Sequence, residues 1–305
     1  MMNRRSFLTR AGGAALSVSF SPDVIAQATR PALLRTIPST GDVIPAVGLG
    51  TWQTFDVGGD SMRRAQCAAA LRAFIEGGGR VIDSSPMYGT SERVVGDLIA
   101  SERVRDRAWL ATKVWTSGEG AGIRQMTESL DKLGAARIEL MQVHNLLDWR
   151  THLKTLRQWK DEGRVKYIGI THYVASSHAK VERIVRAEPI DFVQANLSLD
   201  EPEAAGRLLQ VCAERRTAFI ANRPFGGGQS FARARGKTLP VWAADYGIQS
   251  WAQYMLTWIL AHHAVTCAIP GSSRAEHVVD NLGAGRGRMP DVRERTRMAA
   301  AWRAL

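Results

Sequence analysis

Short apolar runs alternate along this chain with longer stretches whose apolar positions recur every three to four residues. Residues 33–37 and 43–44 flank Ser39-Thr40-Gly41-Asp42, a set of turn formers that predicts a β-hairpin. From there the pattern becomes regular. Short runs at 47–51, 80–83, 109–113, 138–144, 165–171, 191–196, 218–222 and 266–269 predict strands. Helical spacing predicts helices over 61–76, from Ser91 onward, and over 121–133, 150–162, 177–187, 202–214 and 249–262, with a last crossover helix from about Arg274. Gly77-Gly78-Gly79 reads as a helix stop, and Ser91 as a cap. A long loop follows residue 222, and one short helix follows Arg286.

Eight strand–helix units fit in about 240 residues, and such alternation calls for a parallel sheet. That number in that length favours a closed (β/α)₈ TIM barrel over an open doubly wound sheet. No G-x-G-x-x-G follows the first strand, which also weighs against the open dinucleotide fold. No linker or shorter repeat divides residues 29–305, which read as one domain.

In a barrel the chemistry sits at the C-terminal ends of the strands. There the sequence places Asp83 after the second strand, Lys113 at the end of the third and His144 at the end of the fourth. Tyr88 follows in the loop five residues beyond Asp83. A strand-end Lys or Asp often belongs to a structural ion pair, and a lone His often belongs to the core. Four such groups on adjacent strand ends form a chemical set. A phenol is a weak acid at neutral pH. A neighbouring ammonium is expected to lower its pKa, with Asp83 orienting that ammonium and His144 hydrogen-bonding the substrate oxygen. The set suits protonation of a carbonyl oxygen as negative charge develops on it, and it lacks only a hydride source.

Gly48-Leu49-Gly50-Thr51-Trp52, Val81-Ile82-Asp83-Ser84-Ser85-Pro86-Met87-Tyr88-Gly89, Thr112-Lys113-Val114-Trp115 and Val143-His144 resemble successive motifs of the aldo-keto reductase superfamily. The resemblance implies a (β/α)₈ barrel, a catalytic tetrad of Asp83, Tyr88, Lys113 and His144, and usually NADPH as hydride donor. It also implies that Thr51 and Trp52 lie at the cofactor. Gly169-Ile170-Thr171-His172-Tyr173 stands where the family has G-V-S-N-F, so Thr171 and His172 take the places that hold the nicotinamide amide. Gln194 matches a glutamine that contacts the same carboxamide.

Strand seven departs from the pattern. Ala221-Asn222-Arg223-Pro224-Phe225-Gly226 resembles A-Y-S-P-L-G, with Asn222 replacing the aromatic that stacks on the nicotinamide. Phe225 or another aromatic is a possible substitute. Arg223 is an added cation, suited to phosphate, to a substrate carboxylate or to a local acid. The glycine-rich run from Gly226 to Lys237 carries Arg233, Arg235 and Lys237, which fits either closure over a pyrophosphate or a solvated loop. Gly271, Ser272, Arg274 and Asn281 match the adenosine-phosphate block. The family often has Lys at the Gly271 position and Arg at that of His277. Arg274 remains as a guanidinium for a 2′-phosphate, which points to NADP(H) over NAD(H). Trp52, Met87 and Trp115 are expected to wall an apolar substrate pocket.

Charge and cysteines narrow the alternatives. The formal charge is +11, but the basic residues are dispersed, with no basic stripe of the kind that binds nucleic acid. Cys67, Cys212 and Cys267 lack C-x-x-C spacing and read as buried hydrophobes. No metal-ligand set such as H-x-H or H-E-x-x-H lies at the strand ends. No apolar run approaches the roughly 20 residues of a membrane span, so stable membrane insertion of the mature chain is not expected.

Residues 1–28 differ from the rest: Asn3-Arg4-Arg5-Ser6-Phe7-Leu8, an apolar stretch over 11–20, and Ala26-Gln27-Ala28. Together they read as a signal peptide resembling the twin-arginine class, which implies the twin-arginine export machinery as a partner and the bacterial periplasm as destination. Removing this segment leaves 37 basic and 28 acidic residues, a balance of +9. The sequence thus predicts an exported carbonyl/alcohol oxidoreductase. A nucleotide-binding regulatory barrel with little turnover is the alternative, suggested by Asn222 and His172.

Overall fold

A computed structural model describes residues 31–305, so the signal read over residues 1–28 lies outside the described residues. The chain opens with the expected hairpin, β1 (Leu34–Thr36) antiparallel to β2 (Val43–Pro45). Eight strands follow in one parallel sheet: β3 (Leu49–Gly50), β4 (Val81–Asp83), β5 (Trp109–Val114), β6 (Ile138–Val143), β7 (Val165–Thr171), β8 (Phe192–Asn196), β9 (Ala218–Asn222) and β10 (Val265–Ala268). Each pairs with its sequence neighbour. The edges also meet, through parallel bridges Val47–Ala268 and Gly50–Gly271, so the curled sheet matches a (β/α)₈ barrel.

Two-residue periodicity sorts the side chains. Val81, Ala111, Leu140, Tyr167, Phe192, Ala218, Ile220 and Cys267 form an inner cluster, while Ile82, Met141, Ile168 and Val193 join the outer layer against the helices. Ile37 and Ile44 of the hairpin belong to the inner cluster and plug the N-terminal end of the barrel. A layer of aromatics sits there too, with Tyr167 and Phe192 ring centroids 5.4 Å apart and Trp109 5.7 Å from Phe192. The Tyr167 hydroxyl ties the plug down through Asp42 and, at 3.0 Å, through Thr40 Oγ1.

The same periodicity brings polar residues inward one layer higher: Asp83 two after Val81, Lys113 two after Ala111, Gln142 two after Leu140, and Gln194 two after Phe192. An apolar barrel thereby ends in a polar ring at the C-terminal rim.

Several expectations shift. The helix expected over 202–214 begins as a 3₁₀ turn at Glu203–Ala205 and becomes α-helical only at Arg207–Glu214, because Gly206 between them has ψ −115°. Strand β6 stops at Val143, and His144 opens a 3₁₀ turn. The segment after β9 is not wholly irregular. It contains a short helix, Ser230–Ala234, held by Ser230 Oγ donating to Asp200 Oδ2 at 2.5 Å and Arg233 donating to Asp200 Oδ1 at 2.9 Å. Trp302 Nε1 of the last helix, Val292–Arg303, donates to the same carboxylate at 2.8 Å. All three cysteines are free and buried, as expected.

The helices Ser91–Ser101 and Glu119–Leu133 approach closely at Gly96, where an added Cβ would lie 2.1 Å from the Lys132 carbonyl oxygen and 2.9 Å from Leu133 Cα. Gly96→Ala must force these helices apart and is expected to cost about 1–3 kcal/mol. Chemical unfolding measures this; a variant as stable as the parent would mean that the spacing is set elsewhere.

Candidate active site

The rim of the barrel brings together all four residues of the expected tetrad. Lys113 Nζ is fully buried and donates to Asp83 Oδ2 at 2.7 Å and to the Ser84 carbonyl oxygen at 2.7 Å. Its remaining donor is directed to Tyr88, whose ring centroid lies 4.9 Å from Nζ. The Tyr88 and His144 rings meet edge to face, 5.8 Å between centroids. Thr51 braces the site from the residue after β3, with Oγ1 3.0 Å from the Asp83 carbonyl oxygen and from Ser84 Oγ.

Burial dominates the electrostatics. It pushes the Lys113 ammonium down, but Asp83 and then Tyr88 outweigh it and hold the ammonium above its usual range. Tyr88 moves opposite to the expectation. Burial raises its phenol above the ordinary value, Lys113 pulls it back, and Asp83 adds to the rise. The ammonium alone argues for a lowered pKa, but the desolvation of a phenolate in this setting is larger. Burial and the nearby Lys113 lower His144 from its ordinary 6.5 to about 2, so the imidazole is neutral. Ser85 Oγ accepts from the Met87 N–H at 3.4 Å and lies 3.0 Å from His144 Nδ1. A Ser85 hydroxyl donating to Nδ1 leaves the ring proton on Nε2.

Beyond the tetrad lies a hydrogen-bond network that was only partly foreseen. Asp83 Oδ1 accepts from Gln194 Nε2 at 2.9 Å and from Gln142 Nε2 at 3.4 Å. Gln194 Oε1 accepts from Thr171 Oγ1 at 3.2 Å and Asn222 Nδ2 at 3.5 Å, and Asn222 Nδ2 also donates to the His172 carbonyl oxygen at 3.1 Å. The His172 ring turns back on its own loop. Its Nδ1 accepts from the Tyr173 N–H at 3.0 Å, and Nε2 lies 3.1 Å from Ser177 Oγ. Gln142, Ser84 and Ser85 were missed in the sequence, although Gln142 has the inward register of Lys113, its partner across β5 and β6. That shared register was the available signal.

The other expected site residues divide by position. Trp52, Met87 and Trp115 stand on rim loops, 39% to 44% exposed, and Tyr173 joins them at 47%. Phe225 is buried against Phe231, with centroids 4.9 Å apart, and Gly226 turns the chain beside it at φ +58°. Arg223 holds φ +50°, with its guanidinium 5.9 Å from the Tyr173 ring and Nε 4.0 Å from Glu201 Oε2. Gly271 bridges Gly50, Ser272 Oγ accepts from the Arg274 N–H at 3.1 Å, and Asn281 is buried. Arg274 is exposed and paired with Glu276. Buried polar atoms without a hydrogen-bond partner among the described residues include Asn222 Oδ1, Asn145 Oδ1 and Asn196 Nδ2, all at or just beyond the C-terminal ends of β6, β8 and β9. Such unmet hydrogen bonds beside the tetrad fit a polar ligand seated on this rim.

The model of the aldo/keto reductase family matches residues 46–292. The chain belongs to this family. It is 27% identical over 248 residues to a 9,11-endoperoxide prostaglandin H2 reductase of Trypanosoma cruzi, covering 78% of this chain and 81% of that protein. It is also 27% identical over 256 residues to a methylglyoxal reductase of Escherichia coli, covering 81% and 88%. Among solved structures, an aldo/keto reductase from Klebsiella pneumoniae in complex with NADP and acetate superposes with a TM-score of 0.72 at 25% identity, covering 86% of this chain and 93% of that one. The protein is thus an oxidoreductase of the aldo-keto reductase type.

The neutral state of His144 has a measurable consequence for this aldo-keto reductase. The unfolded chain takes up a proton near 6.5, whereas the folded one resists it to about 2, so this contribution is complete above 6.5 and is lost as pH falls below it. The loss is at most about 1.4 kcal/mol per pH unit. His144→Gln should therefore destabilise less than the parent between about pH 7 and about pH 5 in urea unfolding. Parallel losses in the two proteins would contradict a neutral His144.

Proposed function

We propose that this aldo-keto reductase interconverts an aldehyde or ketone and the corresponding alcohol, with NADP(H) as its nucleotide and Tyr88 as general acid/base. The observation that carries the reading is the buried Lys113 ammonium, bonded to Asp83 and facing the Tyr88 phenol. When bound, NADPH supplies the hydride. The protein's residues manage the oxygen end. Because burial raises its pKa, Tyr88 keeps its proton at neutral pH and yields it when negative charge develops on the substrate oxygen. Lys113 then stabilises the phenolate left behind, and Asp83 keeps Lys113 charged and aimed. His144 donates from Nε2 toward the same oxygen and, being neutral, adds no charge to a site that already holds Lys113. In the oxidative direction the phenolate accepts the alcohol proton.

Thr171, Gln194 and Asn222 line the polar ring where the nicotinamide amide is proposed to sit, and Ser272 with Arg274 is proposed for the adenosine phosphates. NADP(H) over NAD(H) is supported by the exposed Arg274 guanidinium and by the NADP carried by the Klebsiella neighbour. Trp52, Met87 and Trp115 are proposed to contact the apolar part of the substrate.

Tyr88→Phe is expected to reduce kcat by roughly a hundred- to ten-thousand-fold while NADPH binding and thermal unfolding stay near those of the parent. Full turnover in that variant would remove Tyr88 from the mechanism. We further propose export by the twin-arginine route, on the residues from Asn3 to Ala28. Cell fractionation, followed by identification of the nucleotide released from the exported protein, checks destination and cofactor together. Protein retained in the cytoplasm overturns export, and release of NAD(H) overturns the cofactor preference.

A further inference from the structure

The side chains expected from the sequence to hold the nicotinamide amide are already engaged within the protein. Gln194 uses Nε2 on Asp83 and Oε1 on Thr171 and Asn222. Its orientation is not free to reverse, because a carboxylate only accepts, so the amide nitrogen must face Asp83. The Thr171 hydroxyl proton is directed to Gln194 Oε1. Both His172 ring nitrogens are engaged by Tyr173, Val174 and Ser177 of its own loop. Asn222 differs from these. Its Nδ2 faces the His172 carbonyl oxygen, which also only accepts, and this sets the amide orientation. Oδ1 is left buried with no partner among the described residues, beside the layer that contains Gln194 and Asp83. A buried acceptor without a donor is costly, and it is satisfied when a donor arrives.

We infer that Asn222, standing where an aromatic stacking platform was expected, binds the cofactor ring through Oδ1, which accepts a hydrogen bond from the carboxamide N–H of the nicotinamide. The chain thereby exchanges stacking for a directional contact, and Asn222 becomes a specificity-determining residue for the 3-substituent of the pyridine ring. This rests on the nicotinamide binding proposed above. The contact also bears on the tetrad indirectly, since the same side chain helps orient the glutamine that holds Asp83.

Equilibrium binding tests this without turnover. The probes are NADP⁺ and its 3-acetylpyridine analogue, in which a methyl group replaces the amide nitrogen and so removes the donor. The parent is expected to bind the analogue roughly fivefold or more weakly, the size of one hydrogen bond. Asn222→Leu should bind both nucleotides with nearly equal affinity. Equal binding by the parent overturns the inference, and that measurement needs no variant. So does a full preference retained in Asn222→Leu. Failure of the parent to bind NADP⁺ at all would instead overturn the cofactor reading on which the inference stands.

Discussion

The buried pair between Lys113 and Asp83 is the interaction on which the rest of the site depends. An ammonium with no exposed surface is tolerated only where its charge is met and its donors are used. Asp83 meets the charge, and the Ser84 carbonyl and Tyr88 take the other donors. The carboxylate in turn needs donors of its own, supplied by Gln194 and Gln142. Each requirement recruits the next residue, so the polar ring at the top of the barrel is one connected structure. Its cost is offset by the apolar layers below it and around it.

This arrangement explains why one site contains two opposite electrostatic outcomes. The same ammonium that favours charge on Tyr88 disfavours charge on His144. Burial opposes charge on both. Tyr88 stays protonated at neutral pH, and His144 stays a neutral hydrogen-bonding group. A site with one buried ion pair and two neutral partners is suited to an oxygen that becomes negative only during the reaction.

Much of this was legible in the sequence because barrel periodicity is a strong rule. Eight apolar runs at regular spacing showed the strands, and the polar residue closing each run marked the rim. Asp83, Lys113 and His144 could be located from that alone. Gln142 follows the same rule, but a glutamine carries no chemistry that singles it out. The direction of the Tyr88 shift was misjudged because it depends on how deeply the phenol is desolvated, a three-dimensional quantity. The break at Gly206 and the helix Ser230–Ala234 were not foreseen for a related reason. The latter is held by Asp200, which is distant in sequence, so local pattern alone contains no trace of it. His172 was expected to face the cofactor, yet its ring folds onto its own loop, a choice made by backbone N–H groups that a sequence does not display.

The hairpin plug also has a bearing on the order of events in turnover. With Ile37 and Ile44 packed into the lower end and an aromatic layer above them, the N-terminal end of the barrel is filled by side chains. In the mechanism proposed above, the carbonyl and the proton that recharges Tyr88 then share the C-terminal rim. Ligand exchange and reprotonation are, in that proposal, two uses of one doorway.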